Sequence, residues 1–301
     1  MLRQTLEIQS VHRNYHVQFI DDAVSQLTAT IKQRDYLIVD TNVYDQYPGI
    51  AALVDNYQHE LVFCQESAKD FSAIHTTIDR LLSIGFTKTD RLIAIGGGIV
   101  QDITAFVSSI LFRGCEWIFF PTNLLTQCDS CIGSKTSINF GQFKNQLGGF
   151  YPPSHIFIDI NFNKTLGRRE IRSGMGEMLH YFLVNSEDDV LLFTENFEAA
   201  FDNIDILELL ISRSLEIKRE IIIIDEFDRG PRNVFNYGHS FGHALESVTQ
   251  YKVPHGICVS YGMDLANLLS CKNGYMDISE RNRLREVIGL IFSHPEIPKF
   301  D

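Results

Sequence analysis

The first half of the chain alternates apolar, strand-like segments with amphipathic, helix-like ones, and this alternation restricts the possible folds strongly. The strand-like segments are NYHVQFI, YLIVDTN, HELVFCQ, RLIAIGGG, EWIFFPT and HIFIDI. Helical spacing of apolar residues occurs in DAVSQLTATIK, KDFSAIHTTIDRLLSIG and QDITAFVSSILF. Strands that alternate with helices form a parallel sheet covered on both faces. We therefore predict an α/β domain with a Rossmann-like parallel sheet at residues 1–162.

The pattern changes from about Asn163 onward. Segments such as DILELLISRSLEIKREIIIID and HGICVSYGMDLANLLSC have helical spacing, and strand signals are few. We predict a second, mainly α-helical domain at residues 163–301. A cleft between two domains is a common location for a ligand, so we expect a small-molecule site there.

Composition and charge exclude several classes of protein. The 301 residues are 45% hydrophobic and 21% charged, which is typical of a globular enzyme with a real core. The formal net charge is −12, so a basic nucleic-acid-binding face is not expected. The segment MLRQTLEIQS lacks the apolar stretch of a secretory signal, and no apolar run approaches the ~20 residues of a membrane span. We expect a cytoplasmic protein that binds neither nucleic acid nor membrane.

Three consecutive glycines, from Gly96 to Gly98, follow a predicted strand and precede a predicted helix. Glycines there let backbone amides approach a pyrophosphate at the positive end of the helix. The segment is not G-x-G-x-x-G, so a tight turn without a ligand is the alternative. Asp40 ends an earlier strand, where a carboxylate could bind a ribose hydroxyl or could simply belong to a turn.

The segment QCDSCIGSKTSINFGQFKNQLGGFYPP is rich in small and polar residues, and we predict a loop. Lys135 and Lys144 lie in it, and two lysines beside Gly, Ser, Thr and Asn in an acidic protein indicate a phosphate or carboxylate site. A solvated surface loop is the alternative. Cys128 and Cys131 could form a redox pair or half of a zinc site, but no second C-x-x-C follows, which favours reduced thiols near a loop.

Several histidines and a glutamate occupy glycine-containing segments of the predicted helical domain. His239 and His243 share a helix face in FNYGHSFGHALE. Both could bind a metal, one could bind a metal while the other handles protons, or both could be ordinary helix residues. Glu177 and His180 share a face in SGMGEMLHYFL, and His255 lies in VPHGICV. Glu177, His239 and His255 could form a three-ligand metal site with an open position, while the absence of H-E-x-x-H argues against a zinc protease.

Taken in order, these motifs resemble the dehydroquinate synthase family of sugar-phosphate cyclases over nearly the whole chain. The matching segments are QESAKD, GGGIVQDITAF, FRG, FPTNLLTQCDS, GSKTSIN, KNQLGGFYPP, SGMGEMLHY, KREIIIIDEFDRGPRNVFNYGHSFGHALE and HGICVSYGM. The resemblance implies a two-domain carbon–oxygen lyase that uses NAD catalytically and a zinc ion, with cobalt as the alternative metal. It also implies conversion of a heptulosonate phosphate to a carbocycle with loss of phosphate, a step of the shikimate pathway to aromatic amino acids.

The resemblance also implies roles for individual residues. The metal ligands are Glu177, His239 and His255, and His243 contacts the phosphate region rather than the metal. A homodimer is implied, with Arg113 of FRG reaching across the interface. The implied NAD-binding residues are Glu66, Lys69, Gly97, Gly98, Asp102 and Thr122. We assign Asp40, Asn123 and Lys144 to the same cofactor, although Lys144 also falls on a substrate motif. The implied catalytic and substrate-binding residues are Asp129, Lys135, Asn145, His180, Lys218, Arg232, Asn236 and His243.

The chain departs from the family pattern at three places. His180 replaces a usual lysine, and imidazole is shorter and only partly protonated near neutral pH. Ile257 replaces a glutamate, and no segment before Asp301 matches the family's basic Asp-Lys-Lys region. Asn236 and His243, which related cyclases tend to change, are both present and favour the heptulosonate substrate. The alternatives are a related cyclase acting on another sugar phosphate and a non-catalytic, nucleotide-binding relative.

Overall fold

The structure is a computed structural model that describes residues 5–292. Residues 1–4, within MLRQTLEIQS, and residues 293–301, at the end of the predicted helical domain, lie outside the described residues. The chain divides into two compact units, Met1–Lys164 and Thr165–Asp301, whereas the sequence pattern predicted a boundary after residue 162. No helix within residues 5–292 combines the length and the apolar character that a membrane span requires.

A seven-stranded sheet forms the centre of the first unit, in the order β1-β2-β9-β6-β5-β3-β4. All neighbouring strands are parallel except β1 and β2, which are antiparallel. The predicted parallel sheet is confirmed, and the edge strand β1 is an addition to it. Nine strands lie in the described part of the first unit: β1 Thr5–Ile8, β2 Tyr15–Ile20, β3 Tyr36–Asp40, β4 Gln58–Val62, β5 Arg91–Gly96, β6 Glu116–Pro121, β7 Lys135–Phe140, β8 Phe143–Phe150 and β9 His155–Asp159.

Three helices of the first unit, α1, α2 and α4, begin after an aspartate whose side chain accepts from a free backbone amide. Asp22 accepts a hydrogen bond from the Ser25 amide at 2.8 Å, and Asp70 accepts one from the Ser72 amide at 2.9 Å. Central strands β3 and β5 are buried along their whole length, as expected when both faces of a parallel sheet are covered. The helices are α1 Ala23–Thr30, α2 Thr41–Gln46, α3 Pro48–Val54, α4 Phe71–Ser83 and α5 Gly98–Ile110.

The segment predicted as a loop around Lys135 and Lys144 is instead an antiparallel hairpin of β7 and β8, so that prediction was wrong. Thr136 and Ile138 are buried while Lys135 is exposed, which is the alternation of a strand with one covered face. Gly141 makes the turn with a φ of +59°. Because polar residues and glycines occupy most strand positions on both faces, the period of two is not visible in hydropathy.

The second unit is helical in its described part, as predicted. Its helices are α6 Arg168–Asn185, α7 Glu187–Asn196, α8 Ile204–Ile224, α9 His239–Val248, α10 His255–Lys272 and α11 Ile278–Gly289.

Glycines allow α10 to pack unusually closely against α6 and α9. A Cβ atom on Gly256 would overlap the Ser173 carbonyl of α6, and one on Gly262 would overlap the Gly238 carbonyl just before α9. A Cβ on Gly242 would lie 2.9 Å from the Cα of Val259. The glycines beside the histidines of this unit therefore let the helix backbones meet, which brings the first residues of α9 and α10 close to α6.

Candidate active site

Three side chains from three helices of the second unit converge on one point. Glu177 of α6 is 3% exposed. Its Oε1 lies 3.4 Å from Nε2 of His239, the first residue of α9, and its Oε2 lies 3.2 Å from Nε2 of His255, the first residue of α10. One ligand atom from each residue lies within 4.8 Å of the other two. The spacing and chemistry suit a divalent metal ion.

The outer nitrogens of both histidines already have acceptors. Nδ1 of His255 lies 3.1 Å from Oε1 of Glu246, and Nδ1 of His239 lies 3.3 Å from the Tyr237 carbonyl oxygen. A carboxylate and a carbonyl can only accept, so each Nδ1 carries the proton. Each Nε2 is thereby the nitrogen directed at Glu177, as in histidines that ligate metals.

The electrostatics of this cluster also suit a cation. Burial raises the pKa of Glu177, but His255 and His239 outweigh it and hold that pKa well below its usual range. Burial lowers the pKa of His255, but the carboxylates of Glu177 and Glu246 outweigh it and hold that pKa well above its usual range. The carboxylate is thus charged in a buried position, where only nearby positive charge makes that state stable.

His243 lies one helical turn after His239 and is exposed. Its ring centroid is 5.5 Å from that of His239 and 5.6 Å from that of His255. Partial burial, with His255 and His239 nearby, lowers the pKa of His243, which favours the neutral ring. His243, Glu246 and His255 form a second group with metal-ligand spacing, but that group lacks the buried carboxylate of the first.

His180 lies beside the three converging side chains rather than among them. It is 1% exposed, and its Nδ1 is 3.8 Å from Oε1 of Glu177. Its ring centroid is 3.9 Å from that of Tyr181 and 5.9 Å from that of Phe235. The imidazole is therefore enclosed between a carboxylate and aromatic rings.

The remaining predicted residues of the second unit lie on α8 and on the 3₁₀ segment Pro231–Asn236. Lys218 is buried, with Nζ 5.9 Å from the centroid of the Tyr181 ring. Arg232 is also buried, and its Nη1 donates to the Glu226 carbonyl at 2.5 Å. Asn236 is exposed and donates to Asn233 at 3.3 Å.

A polar cluster in the first unit joins five residues predicted for ligand binding. Nζ of the buried Lys69 lies 2.6 Å from Oδ2 of Asp102 and donates to Oδ1 of Asn145 at 3.1 Å. Glu66 Oε1 lies 3.5 Å from Nζ of Lys144 and 4.0 Å from that of Lys69. Residues predicted for the cofactor therefore contact Asn145, which was predicted for the substrate.

The glycine turn lies at the beginning of α5. A Cβ on Gly97 would overlap the Asn123 side-chain amide, and one on Gly96 would lie 3.2 Å from Cβ of Asp40. The Thr122 amide donates to the Gly96 carbonyl at 3.0 Å. The ends of β3, β5 and β6 thus surround the first turn of α5, which begins at Gly98 and is a suitable place for an anionic group.

Three further predicted residues occupy separate places in the first unit. Asp129 lies in the helical segment Thr126–Ser130, Lys135 begins β7, and Arg113 is exposed with a φ of +63°. All six cysteines are free thiols. Cys128 lies in the same helical segment and Cys131 follows it in a turn; both are buried free thiols, which agrees with the prediction of reduced thiols near a loop.

Comparisons with known proteins place the chain in a family. Residues 61–173 match the family described as 3-dehydroquinate synthase N-terminal, and residues 174–295 match 3-dehydroquinate synthase C-terminal. The chain belongs to the 3-dehydroquinate synthase family. A 3-dehydroquinate synthase of Bartonella tribocorum is 34% identical over 296 residues, which cover 93% of this chain and 78% of that protein. The predicted family is confirmed, and so is the prediction that the protein is an enzyme.

Solved structures share the fold of this family member. A 2-deoxy-scyllo-inosose synthase complexed with carbaglucose-6-phosphate, NAD+ and Co2+ gives a TM-score of 0.85 at 24% identity, covering 99% of this chain and 84% of that one. The 2-epi-5-epi-valiolone synthase of Streptomyces hygroscopicus, with NAD+ and Zn2+ bound, gives 0.82 at 24% identity, covering 95% and 82%. The predicted fold class is confirmed.

Two side chains that contact candidate site residues of this dehydroquinate synthase family member were not predicted from its sequence. Glu246 contacts His255, and Asn139 contacts both Glu66 and Asn145. Glu246 follows His243 by three residues, so a shared helix face was a usable signal. Asn139 lies in the hairpin that was predicted to be a loop. Without a predicted strand, the face on which its side chain lies could not be inferred.

Proposed function

We propose that this protein is a 3-dehydroquinate synthase that converts a heptulosonate phosphate to a carbocycle with elimination of phosphate, using NAD catalytically and a zinc ion. The convergence of the Glu177 carboxylate with Nε2 of His239 and Nε2 of His255 carries the proposal. It supports a metal site in a chain of this family. The relatives solved with NAD+ and Zn2+ or Co2+ support the same cofactor pair.

Glu177, His239 and His255 are the proposed metal ligands. When bound, a zinc or cobalt ion at such a site polarises a hydroxyl or carbonyl oxygen of the substrate. One carboxylate and two imidazoles leave a coordination position for that oxygen. Their chemistry fits the ion because each imidazole directs Nε2 inward while Nδ1 donates outward.

The proposed NAD-binding residues are those at the beginning of α5 and in the polar cluster. The Gly97 and Gly98 amides would bind the pyrophosphate, and Asp40 would accept from a ribose hydroxyl. NAD held by these residues would supply reversible hydride transfer without being consumed. The full proposed set is Asp40, Glu66, Lys69, Gly97, Gly98, Asp102, Thr122, Asn123 and Lys144.

Cationic and neutral side chains have different proposed roles toward the substrate. Ammonium and guanidinium groups, such as those of Lys218 and Arg232, would hold phosphate and carboxylate oxygens. His243 would accept a proton at a ring nitrogen, since its lowered pKa favours the neutral form near neutral pH. The full proposed set is Asp129, Lys135, Asn145, His180, Lys218, Arg232, Asn236 and His243. The exposed Arg113 is compatible with a homodimer in which it reaches the partner.

Phosphate release from the heptulosonate phosphate, with NAD and zinc present, tests the proposal. Release should require both additions, and NADH should not accumulate. Glu177→Gln should abolish release, whereas Glu195→Gln, at an exposed position of α7, should not. Release from a hexose 6-phosphate instead would indicate a related cyclase, and NAD binding without release from either compound would indicate a non-catalytic relative.

A further inference from the structure

Asn139 of β7 uses both ends of its side-chain amide inside the polar cluster. It is 6% exposed. Nδ2 donates to the Glu66 carbonyl at 3.1 Å and to Glu66 Oε1 at 2.9 Å, while Oδ1 accepts from the backbone amide of Asn145 at 2.9 Å. A buried amide that is satisfied on both sides has a fixed orientation.

The backbone around these contacts departs from a regular hairpin. The register of β7 and β8 shifts between Ile138 and Phe140, at Asn139 itself. Asn145 has a φ of +53°, in the left-handed region that non-glycine residues seldom adopt. The Asn139 side chain thus supplies the acceptor for the Asn145 amide where the regular ladder is interrupted. Bulges and unusual backbone conformations of this kind are enriched near functional sites.

The side chain of Asn145 is fixed by separate contacts. Its Oδ1 accepts from Nζ of Lys69 and from Oγ of Ser137, each at 3.1 Å. The backbone of Asn145 therefore depends on Asn139, and its side chain depends on Lys69 and Ser137. Asn139 connects Asn145 to Glu66 by hydrogen bonds on both sides, whereas Lys69 approaches Glu66 Oε1 only to 4.0 Å.

We propose that Asn139 is a positioning residue that couples the NAD-binding side chain Glu66 to the substrate-binding residue Asn145. The inference rests on the proposed function, from which it takes the roles of Glu66 and Asn145. Because its donor faces Glu66 and its acceptor faces Asn145, one substitution can remove the Glu66 contact alone and a second can remove both contacts.

Asn139→Asp tests the Glu66 contact. The substitution keeps the shape and the acceptor for the Asn145 amide, but it places a carboxylate oxygen against the Glu66 carboxylate. We expect the Kd for NAD, measured by calorimetry, to rise about tenfold, since a donor is lost and like charges face each other. Asn14→Asp is the matched control, because Asn14 Nδ2 also donates to a glutamate, Glu7 Oε1 at 3.0 Å, on the exposed side of the same unit. It should leave the Kd unchanged.

A reciprocal substitution separates positioning from a general effect on the fold. In Asn139→Asp combined with Glu66→Gln, the new carboxamide at 66 can donate to the new carboxylate at 139. The double variant should bind NAD at least as tightly as Glu66→Gln alone, whereas independent effects would make it weaker. Independent effects in this cycle would overturn the coupling between these two side chains.

Asn139→Ala tests the Asn145 contact, because only this variant also removes the acceptor for the Asn145 amide. We expect its KM for the sugar phosphate to exceed that of Asn139→Asp several-fold, about the effect of one hydrogen bond. Equal KM values, or an unchanged Kd for NAD in both variants, would overturn the inference. If Asn139→Asp does not fold, the Kd of Asn139→Ala against Asn14→Asp decides the Glu66 contact. Failure of the wild-type protein to bind NAD would instead overturn the proposed function.

Discussion

Nδ1 of His255 lies 3.1 Å from Oε1 of Glu246, while Nε2 of the same ring faces Glu177. Because the carboxylate of Glu246 can only accept, the contact keeps the proton on Nδ1 and leaves Nε2 directed toward the proposed metal position. An orienting carboxylate of this kind also makes the ring a stronger ligand. Glu246 is thereby expected to affect the metal without ligating it.

Glu246→Ala should weaken zinc binding about 10- to 100-fold, in the range found for lost orienting partners of metal ligands. Competition with a chromophoric chelator measures the affinity directly, without reference to catalysis. Glu195→Ala, at an exposed site on α7, is the control and should bind zinc as the wild type does. An affinity equal to the control would mean that His255 is oriented by its helix alone.

Replacement of His239 and of His243 should have different consequences. His239→Ala removes a ligand atom near Glu177 and should lower the metal content measured by elemental analysis. His243→Ala should keep the metal and lose activity, because its ring lies on the exposed side of the group. Equal loss of metal from both variants would contradict the assigned roles.

Asp189 should contribute to stability in a pH-dependent way. Burial raises its pKa, but Arg213, at 2.7 Å, and the Ser186 and Asn185 side chains outweigh it and lower the pKa from 3.8 to about 2. A shift of that size corresponds to about 2 kcal/mol of unfolding free energy. Because the pKa of Asp189 is lower in the folded than in the unfolded state, its ionised carboxylate stabilises the folded protein fully at pH values above the unfolded pKa. This contribution is lost as the pH falls through the folded-state pKa of about 2.

Asp189→Asn should therefore lower the free energy of unfolding, measured by urea denaturation at neutral pH, by about 2 kcal/mol. The difference from the wild type should be constant down to about pH 5 and should narrow below about pH 4. Asp188→Asn is a matched control on the preceding, exposed residue and should have little effect. A difference that persists unchanged at low pH would point to packing rather than to the charge.

Gly256→Ala should separate α10 from α6, because the added Cβ would overlap the Ser173 carbonyl. We expect a loss of about 1–3 kcal/mol in unfolding free energy, typical of overpacking, together with weaker metal binding. Gly289→Ala is the control, since a Cβ there meets nothing within 4 Å. Normal metal affinity in Gly256→Ala would show that the position of His255 tolerates a shift of its helix.

The central sheet was predictable because its strands are buried on both faces. β3 and β5 read as continuous apolar runs, and the helices between them have a clear period. The hairpin of β7 and β8 was missed because Lys, Ser, Thr, Asn, Gln and Gly occupy most of its strand positions. Its alternation is visible only in the burial of residues such as Thr136 and Ile138.

The candidate metal ligands were predictable because each lies in a distinctive glycine-containing motif. Their supporting contacts were not, since these depend on distance in space rather than in sequence. Glu246 accepts a hydrogen bond from a histidine on the following helix, and Asn139 contacts a residue far away in the chain. A single sequence carries the residue types of such contacts but not their partners.

The proposed ligands Glu177, His239 and His255 lie on three helices; α6 is far along the chain from α9 and α10, which follow each other directly. A metal ion bound to all three would act as a cross-link that closes one long loop of polypeptide, from Glu177 to His239, and one short loop, from His239 to His255. Binding to the folded state alone would raise the unfolding temperature with metal concentration. Chelators would then lower the heat resistance of the second unit, so thermal denaturation could follow metal occupancy without any substrate.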